Sequence, residues 1–327
     1  MKKILIAFLT LTIIFGCACF FVGCNKQTTN VIRLNEVTHS VFYAPLYVAI
    51  NQNYFSEQGL EIELTNGGGA DKTMTAVISG QADIGFCGPE AVIYVYNEGR
   101  KDYPKVFAQL TAMDGSFLIG RTKETFDWNK SLVGKEIIGG RKGGVPAMSL
   151  EYALKQAGYT IGKDVTINYD VQFDLITAAF ESGVGDYCTM FEPGASAYQN
   201  AGKGYVLDSI GVRSGRIPYT CFCATQKYIE SNKENIEKFV TALEKGVKYV
   251  SSHSPEEIAI AVAPSFAGTD LPLLISAIDN YKKIGAYVNK LGMEKEDFDR
   301  LQEIIISSGV YDEPADFYKI VDNSFVE

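Results

Sequence analysis

The sequence predicts an α/β fold of two similar lobes followed by helices. Three observations predict it: strand and helix patterns alternate from residue 31, the same order returns after residue 136, and no new strand pattern follows residue 225. Strands that alternate with helices indicate parallel sheets with right-handed crossovers. Two such segments therefore predict two α/β units.

The composition limits the function classes. The 327 residues include 30 Lys and Arg against 39 Asp and Glu, a net charge of −9, and 46% of them are hydrophobic. Such a chain can bury a sizeable core, which excludes global disorder. The acidic balance disfavours nucleic acid as a partner, since nucleic acid would need a basic face. Two histidines leave little for a histidine-based metal site or hydrolase, so binding is favoured.

The N-terminus has the pattern of an export signal. Lys2 and Lys3 precede an uncharged stretch at 4–22, as in a secretory signal with a basic and then an apolar region. Gly23 stands directly before Cys24. This end resembles a bacterial lipoprotein signal, in which the cysteine is lipidated and becomes the new N-terminus.

We therefore expect a lipoprotein signal peptide at 1–23, a lipid on Cys24 and a tether at 24–30. At 19 residues, the uncharged stretch is also long enough for an uncleaved membrane anchor. A plain secreted protein is a third alternative. All three place the body of the protein outside the cytoplasm.

The first half of the body alternates strands and helices. Apolar patterning and turn residues predict a first strand, an apolar helix through Leu46 and Ile50, a second strand, a Gly67–Gly69 turn, a helix through Met74 and a third strand. The three strands are expected at 31–37, 60–64 and 82–86.

The same order returns in the second half. Strands are expected at 136–140 and 165–169, with a helix at 147–157 between them and another through Phe180 after them. The tail then shows helical patterns at 234–251, 255–263, 271–291 and 295–307.

A short repeat supports two related lobes. Ser79-Gly80-x-x-Asp83 and Ser182-Gly183-x-x-Asp186 each stand between a helix and a strand. The tight turn calls for glycine, and we interpret both aspartates as turn and capping groups rather than catalysts.

The cysteines of the body do not predict a metal site. Cys221 and Cys223 flank Phe222 on an expected strand, and no CxxC motif with a matching partner is present, so zinc is not expected. Cys87 and Cys188 are expected in the core. A disulfide remains open, and the sequence does not choose its pairing.

Several segments together resemble one family. It is the group of ABC-importer substrate-binding proteins for nitrate, taurine, alkanesulfonates and thiamine pyrimidines. The segments that carry the resemblance are His39–Ile50, Tyr54–Leu60, Ser79–Ile84, Leu132–Ile137 and Phe191–Pro193.

The resemblance implies a type II periplasmic-binding-protein fold, with two α/β lobes that close over a ligand. The first lobe is expected at 31–117 and 225–327, and the second at 118–224. The crossings between the lobes are expected near 115–122 and 219–225, with the C-terminal helices returning to the first lobe.

The binding cleft is expected where strands end, because ligands of open α/β sheets bind outside the carboxyl ends of the strands. Glycine-rich turns and helix starts suit an anionic group. The residues expected there are Thr38, His39, Gly68, Gly69, Gly88, Arg141, Gly143 and Gly144. Arg141 would suit a carboxylate, sulfonate or phosphate, although a solvated loop edge is the plainer interpretation.

Two acids suggest a different ligand. Glu90 and Glu192 follow expected strands, and a buried carboxylate without a partner is costly, so an acid in the cleft suggests a ligand that donates hydrogen bonds. The resemblance supports Glu192, since the pyrimidine-binding relatives use a glutamate there. The alternative for each is a helix cap or a local ion pair.

Aromatic side chains could stack on a flat ligand. Phe42 and Tyr43 stand at the first helix start, Phe191 at a strand end and Tyr219 at the second crossing. Each could equally be a core residue. His39 could bind a ligand or help to start its helix.

The resulting expectation is a lipid-anchored binding protein of an ABC importer on the extracytoplasmic side of the cell membrane. Its ligand is a thiamine pyrimidine precursor or a similar nitrogen heterocycle; the alternative is an alkanesulfonate, taurine or nitrate. The expected partners are the ligand and permease subunits, with no cofactor and no nucleic acid. A monomer is the family expectation.

Two further classes stay open. Thr220–Cys223 partly resembles the cysteine-rich strand of the fungal thiamine-pyrimidine synthase, an enzyme of this fold that uses pyridoxal phosphate. Thr220 breaks that cysteine run, and an export signal removes the cytosolic cofactor supply. A sensor or adhesion lipoprotein without transport is the other alternative.

Overall fold

The computed structural model describes residues 30–172 and 175–326. The expected signal peptide, Cys24 and most of the tether lie outside these residues. Of the helices in the described ranges, none combines the length and apolar character needed to cross a bilayer.

The chain forms two five-stranded sheets with helices packed around them, which confirms the α/β prediction. The strands are β1 Asn30–Glu36, β2 Leu60–Asn66, β3 Ile84–Cys87, β4 Pro104–Thr111, β5 Ser116–Gly120, β6 Glu136–Ile138, β7 Thr166–Asn168, β8 Tyr187–Phe191, β9 Tyr205–Ser209 and β10 Thr220–Thr225.

The helices of the two α/β halves connect these strands. They are α1 Ala44–Asn51, α2 Tyr54–Glu57, α3 Ala70–Ile78, α4 Glu90–Asn97, α5 Val145–Gln156, α6 Ile176–Glu181, α7 Gly194–Asn200 and α8 Ile210–Ser214. The tail forms α9 Gln226–Ser231, α10 Lys233–Ser252, α11 Pro255–Val262, α12 Leu271–Ile284, α13 Lys295–Ser307 and α14 Phe317–Ile320. The helix expected at 271–291 ends earlier because Gly285 adopts a left-handed conformation, with φ of 73°.

Both sheets have the same plan. Their strand orders are β2-β1-β3-β10-β4 and β7-β6-β8-β5-β9. In each sheet the first three strands are parallel, and the fourth is antiparallel to both of its neighbours. That fourth strand is in each case the one that enters the sheet from the other lobe, so each lobe is completed by the crossing chain.

The boundaries of the lobes differ from the expected ones. β4 ends in the first sheet at Thr111 and β5 begins the second at Ser116, so the first crossing is 112–115. β10 pairs with β3 and β4 of the first sheet, so the second crossing precedes residue 220, although 118–224 was expected in the second lobe. The expected first lobe therefore ended within β5, and the expected second lobe included most of β10.

The SG-x-x-D repeat has the same structural role in both lobes. The Asp83 carboxylate accepts a hydrogen bond from the Arg33 backbone N–H, at 2.9 Å, and the Asp186 carboxylate accepts one from the Glu136 N–H at the same distance. Each aspartate thus fixes the start of its own strand, β3 or β8, against the neighbouring parallel strand, β1 or β6. Both are structural groups.

The tail does not stay on the first lobe alone. Helix α10 packs on α1, where the Gly246 backbone allows the close approach of the Pro45 carbonyl. Helix α13 packs against α5 of the second lobe. The Lys155 ammonium there donates a hydrogen bond to the Ser307 carbonyl. The tail therefore contacts both lobes.

Replacing Gly246 tests the packing of α10 on α1. A Cβ at this position would lie 2.2 Å from the Pro45 carbonyl oxygen, so Gly246→Ala should lower the free energy of unfolding by about 1–3 kcal/mol. Thermal unfolding followed by circular dichroism measures the change. Gly194→Ala is the control, because a Cβ there meets no atom within 4 Å. Equal stabilities of the two variants would contradict this packing.

Candidate functional site

A cleft of about 520 Å³ lies between the two lobes, at the carboxyl ends of their strands. Ten of the residues expected at the site line it: Thr38, Tyr43, Gly68, Gly69, Gly88, Glu90, Arg141, Gly144, Phe191 and Tyr219. The other lining residues are Val37, Asn66, Ala70, Lys72, Gly140, Val145, Pro146, Gln172, Leu175 and Thr220.

The first wall is the glycine turn that follows β2. The Gly67 N–H donates to the Glu36 carbonyl and the Gly69 N–H to the Val37 carbonyl, which ties the turn to the end of β1. Gly68 and Gly69 have φ of 68° and 151°, conformations that residues with a side chain rarely adopt. The turn therefore brings backbone and the start of α3 to the cleft.

Glu90 forms part of the cleft floor. It is the first residue of α4, directly after β3, and only 4% of its surface is exposed. Its Oε2 atom has no hydrogen-bond partner among the described residues. Burial raises the pKa of the Glu90 carboxyl to about 7, and the nearby Arg141 acts in the opposite direction. A Cβ on Gly88 would lie 1.9 Å from that same Oε2, so a side chain at this position would force the Glu90 carboxylate to move.

The opposite wall belongs to the second lobe and is the turn before α5. Arg141 and Gly144 line the cleft, and α5 begins at the next residue, Val145. Gly143 does not line it. The Gly143 carbonyl instead accepts a hydrogen bond of 2.9 Å from the Tyr94 hydroxyl of the first lobe.

Of the four aromatic residues expected at the site, three line the cleft and one is buried next to them. Tyr43, Phe191 and Tyr219 line the cleft. Phe42 is fully buried behind them, with its ring centre 5.7 Å from those of both Phe191 and Tyr219. Phe42, which was expected to stack on a ligand, therefore does not line the cleft, and its ring supports the aromatic wall.

His39 is held by the first lobe. Its Nδ1 lies 2.9 Å from the Glu36 carboxylate and its Nε2 lies 2.7 Å from the Ser265 carbonyl. The Tyr47 hydroxyl donates to the other oxygen of Glu36. The hydrogen bond to Glu36 raises the pKa of His39. This network fixes the turn that carries Thr38, and His39 is not among the lining residues.

Glu192 is also held by protein groups. Its carboxylate accepts hydrogen bonds from the Ser196 backbone N–H and hydroxyl and from the Asn280 side chain, at 2.6–2.9 Å. Its own N–H donates to the Tyr281 hydroxyl. Glu192 does not line the cleft, and its contacts match the helix-cap alternative. They also join the second lobe to α12 of the tail.

Lys72 is the charged lining residue that the sequence interpretation missed. It is the third residue of α3, and its Nζ lies 3.7 Å from the position that a Cβ on Gly68 would occupy. The available signal was its spacing after the glycine turn, since the first turn of a helix stays near the turn that precedes it.

The cysteines of the described chain are free thiols in the core. Cys87, Cys188, Cys221 and Cys223 are all buried, and none lines the cleft. Burial raises the pKa of the Cys221 thiol well above its ordinary value. A raised pKa keeps the thiol protonated and therefore weakly nucleophilic.

Glu90→Gln tests the buried carboxyl through stability. Between pH 4.5 and about 7 the folded state keeps a proton that the unfolded state has lost, so wild-type stability falls over this range. The variant avoids this loss and should exceed the wild type by on the order of 3 kcal/mol at pH 8, with the advantage absent at pH 4. Urea unfolding at both pH values measures it.

The control for this prediction is Glu313→Gln, which changes an exposed glutamate in the tail. Its stability relative to the wild type should not depend on pH in the same way. A stability difference for Glu90→Gln that is the same at pH 4 and pH 8 would contradict the raised pKa.

Comparisons with known proteins agree with the fold. The chain is 38% identical over 303 residues to YtlA of Bacillus subtilis (strain 168), which carries a provisional designation as a binding protein; the match covers 92% of this chain and 90% of YtlA. It is 25% identical over 237 residues to the 4-amino-5-hydroxymethyl-2-methylpyrimidine phosphate synthase of Aspergillus parasiticus, covering 68% of this chain and 67% of the enzyme.

A solved structure shares the same architecture. The alkanesulfonate-binding protein SsuA from Xanthomonas axonopodis pv. citri, bound to MOPS, superposes with a TM-score of 0.72 at 14% identity, over 89% of this chain and 98% of that one. This likeness confirms the expected periplasmic-binding-protein fold. The family model described as NMT1/THI5 like matches residues 41–258. With that match and the close likeness to YtlA, the chain belongs to the NMT1/THI5-like family.

Proposed function

We propose that the protein is a lipid-anchored, extracytoplasmic substrate-binding protein of an ABC importer. The two-lobed fold with a cleft between the lobes supports this, because closure of two lobes around a ligand is how such folds respond to binding. The designation of YtlA and the structural likeness to SsuA support it as well. The lysines, the apolar stretch and Cys24 support export and anchoring.

For the ligand we propose a nitrogen heterocycle such as a thiamine pyrimidine precursor. The observation that carries this is the unpartnered Oε2 of Glu90 in the cleft floor. A buried carboxylate oxygen without a partner is costly, and a ring amino group that donates to it removes that cost. Tyr43, Phe191 and Tyr219 offer aromatic surface next to it.

This proposal rests on Glu90 and not on Glu192. The Glu192 carboxylate already accepts three hydrogen bonds from Ser196 and Asn280. A ligand would have to displace them. Of the two acids, Glu90 therefore has the free acceptor.

The alternative ligand is an alkanesulfonate, taurine or nitrate. Arg141 and Lys72 line the cleft, and helices α3 and α5 begin at its walls. Cations and helix N-termini both favour an anion.

Binding measurements on the soluble chain from residue 25 separate these ligands. We expect 4-amino-5-hydroxymethyl-2-methylpyrimidine to stabilise the protein in thermal unfolding, by about 2.7 kcal/mol at 100 times its dissociation constant. Glu90→Gln should weaken its affinity about tenfold or more in calorimetry, because a charged acceptor is lost. Glu313→Gln is the matched control. Stabilisation by methanesulfonate alone would contradict the heterocycle and support the alternative.

Anchoring is tested on the full chain expressed in a bacterium with lipoprotein processing. The wild type should appear in the membrane fraction and incorporate labelled palmitate. Cys24→Ser removes the thiol that takes the lipid, so we expect no label on that variant. Cys17→Ser changes the other cysteine that follows a glycine and should leave labelling intact. Equal labelling of wild type and Cys24→Ser would exclude this anchor.

A further inference from the structure

We propose that the ligand is bipolar: a ring that donates hydrogen bonds to Glu90 carries an acidic group that binds between Lys72 and Arg141. This inference rests on the proposed function and names its substrate class more closely. The acidic group would be a phosphate, sulfonate or carboxylate. Such a ligand would use both Glu90, which favours a heterocycle, and the two cations, which favour an anion.

The charges of the cleft are the first argument. One acid, Glu90, and two cations, Lys72 and Arg141, line the same cavity. Among the described residues no side-chain hydrogen bond or ion pair of either cation is found, and Glu90 Oε2 has no partner. The charge of Arg141 acts on the pKa of Glu90, but neither cation forms an ion pair with that carboxylate. Acceptor and cations both stay available to a ligand.

The two cations of the cleft lie in different lobes. Lys72 lies in the first turn of α3, in the first lobe, and Arg141 lies in the turn before α5, in the second. Two positive charges that line one cavity repel each other. An anion between them attracts both and therefore favours the closed arrangement of the lobes.

The helix starts strengthen this acidic pole. Helices α3 and α5 have nine and twelve residues, and both begin with residues that line the cleft. Their N-termini add partial positive charge on the same two walls as the cations. The buried, unpartnered Glu90 oxygen is the independent sign that the cavity is built for a ligand.

The size of the cleft is the third argument. A volume of about 520 Å³ falls in the range of pockets for organic ligands of drug size. Nitrate or a bare phosphate would fill a small part of it and would leave the Glu90 acceptor unsatisfied. A bare pyrimidine would leave the two cations unsatisfied. A ring that bears an acidic group meets both requirements.

Two probes that differ only in the acidic group test the inference. Calorimetry compares 4-amino-5-hydroxymethyl-2-methylpyrimidine with its phosphate monoester on the wild type and on Lys72→Gln, Arg141→Gln and the control Lys290→Gln, an exposed lysine outside the cleft. We expect the ester to bind the wild type about tenfold or more tightly than the alcohol, because charge-assisted hydrogen bonds are the strong ones. Both cleft variants should lower the ratio of ester affinity to alcohol affinity towards one, whereas the control should keep the wild-type ratio.

An ester that binds no better than the alcohol, or a preference that survives both substitutions, would overturn the inference.

A second experiment uses simple anions, so that failure of the heterocycle proposal can be distinguished from failure of the anion site. Inorganic phosphate and methanesulfonate should raise the melting temperature of the wild type at constant ionic strength, and each cleft variant should reduce that shift. If neither pyrimidine binds but this shift is seen, the heterocycle is wrong and the acidic pole is supported. If no anion has an effect and the ester shows no preference, the acidic pole is wrong.

Discussion

The site depends on one costly arrangement, a carboxylate buried at the start of a helix without a partner for one of its oxygens. Glu90 can lie there because Gly88 has no side chain to occupy the space. The same helix start supplies the nearby backbone N–H groups of Glu90 and Ala91, which offset part of the cost of burying the charge. A ligand that donates a hydrogen bond to Oε2 of Glu90 would therefore remove much of the remaining cost of burying this carboxylate.

The topology explains why that carboxylate faces a cleft rather than solvent. Each sheet receives its fourth strand from the chain that has just crossed between the lobes, β5 in one and β10 in the other. The crossings at 112–115 and 215–219 therefore lie directly beside the sheets and hold the two sets of strand ends face to face. The Glu192–Asn280 and Tyr94–Gly143 hydrogen bonds join the lobes outside the cleft lining. None of the four residues in these two contacts lines the cleft.

Local patterns in the sequence predicted the fold and much of the cleft. The short-range signals were the alternation of strands and helices, the glycine turns and the SG-x-x-D repeat. Together with the residues at strand ends they predicted both lobes and ten of the lining residues. The role of Glu192 could not be predicted this way, because its partner Asn280 is 88 residues away. His39 is similar, since Ser265 accepts its second hydrogen bond from across the lobe. Lys72 was missed because lysines in polar helix starts are usually exposed to solvent, and its spacing after the glycine turn is a weak local sign that it faces the cavity.

Titration of Glu90 tests most directly whether this residue is a buried acceptor for a ligand. Carbon-13 NMR of the glutamate carboxyls, with the Glu90 signal assigned through Glu90→Gln, would follow the pKa in the free protein and in the complex with the pyrimidine phosphate monoester. We expect a midpoint near 7 in the free protein. On binding it should fall by about one unit or more, because the donated hydrogen bond favours the ionised carboxyl. A midpoint near 4.5 in the free protein, or one that the bound ligand leaves unchanged, would contradict the account.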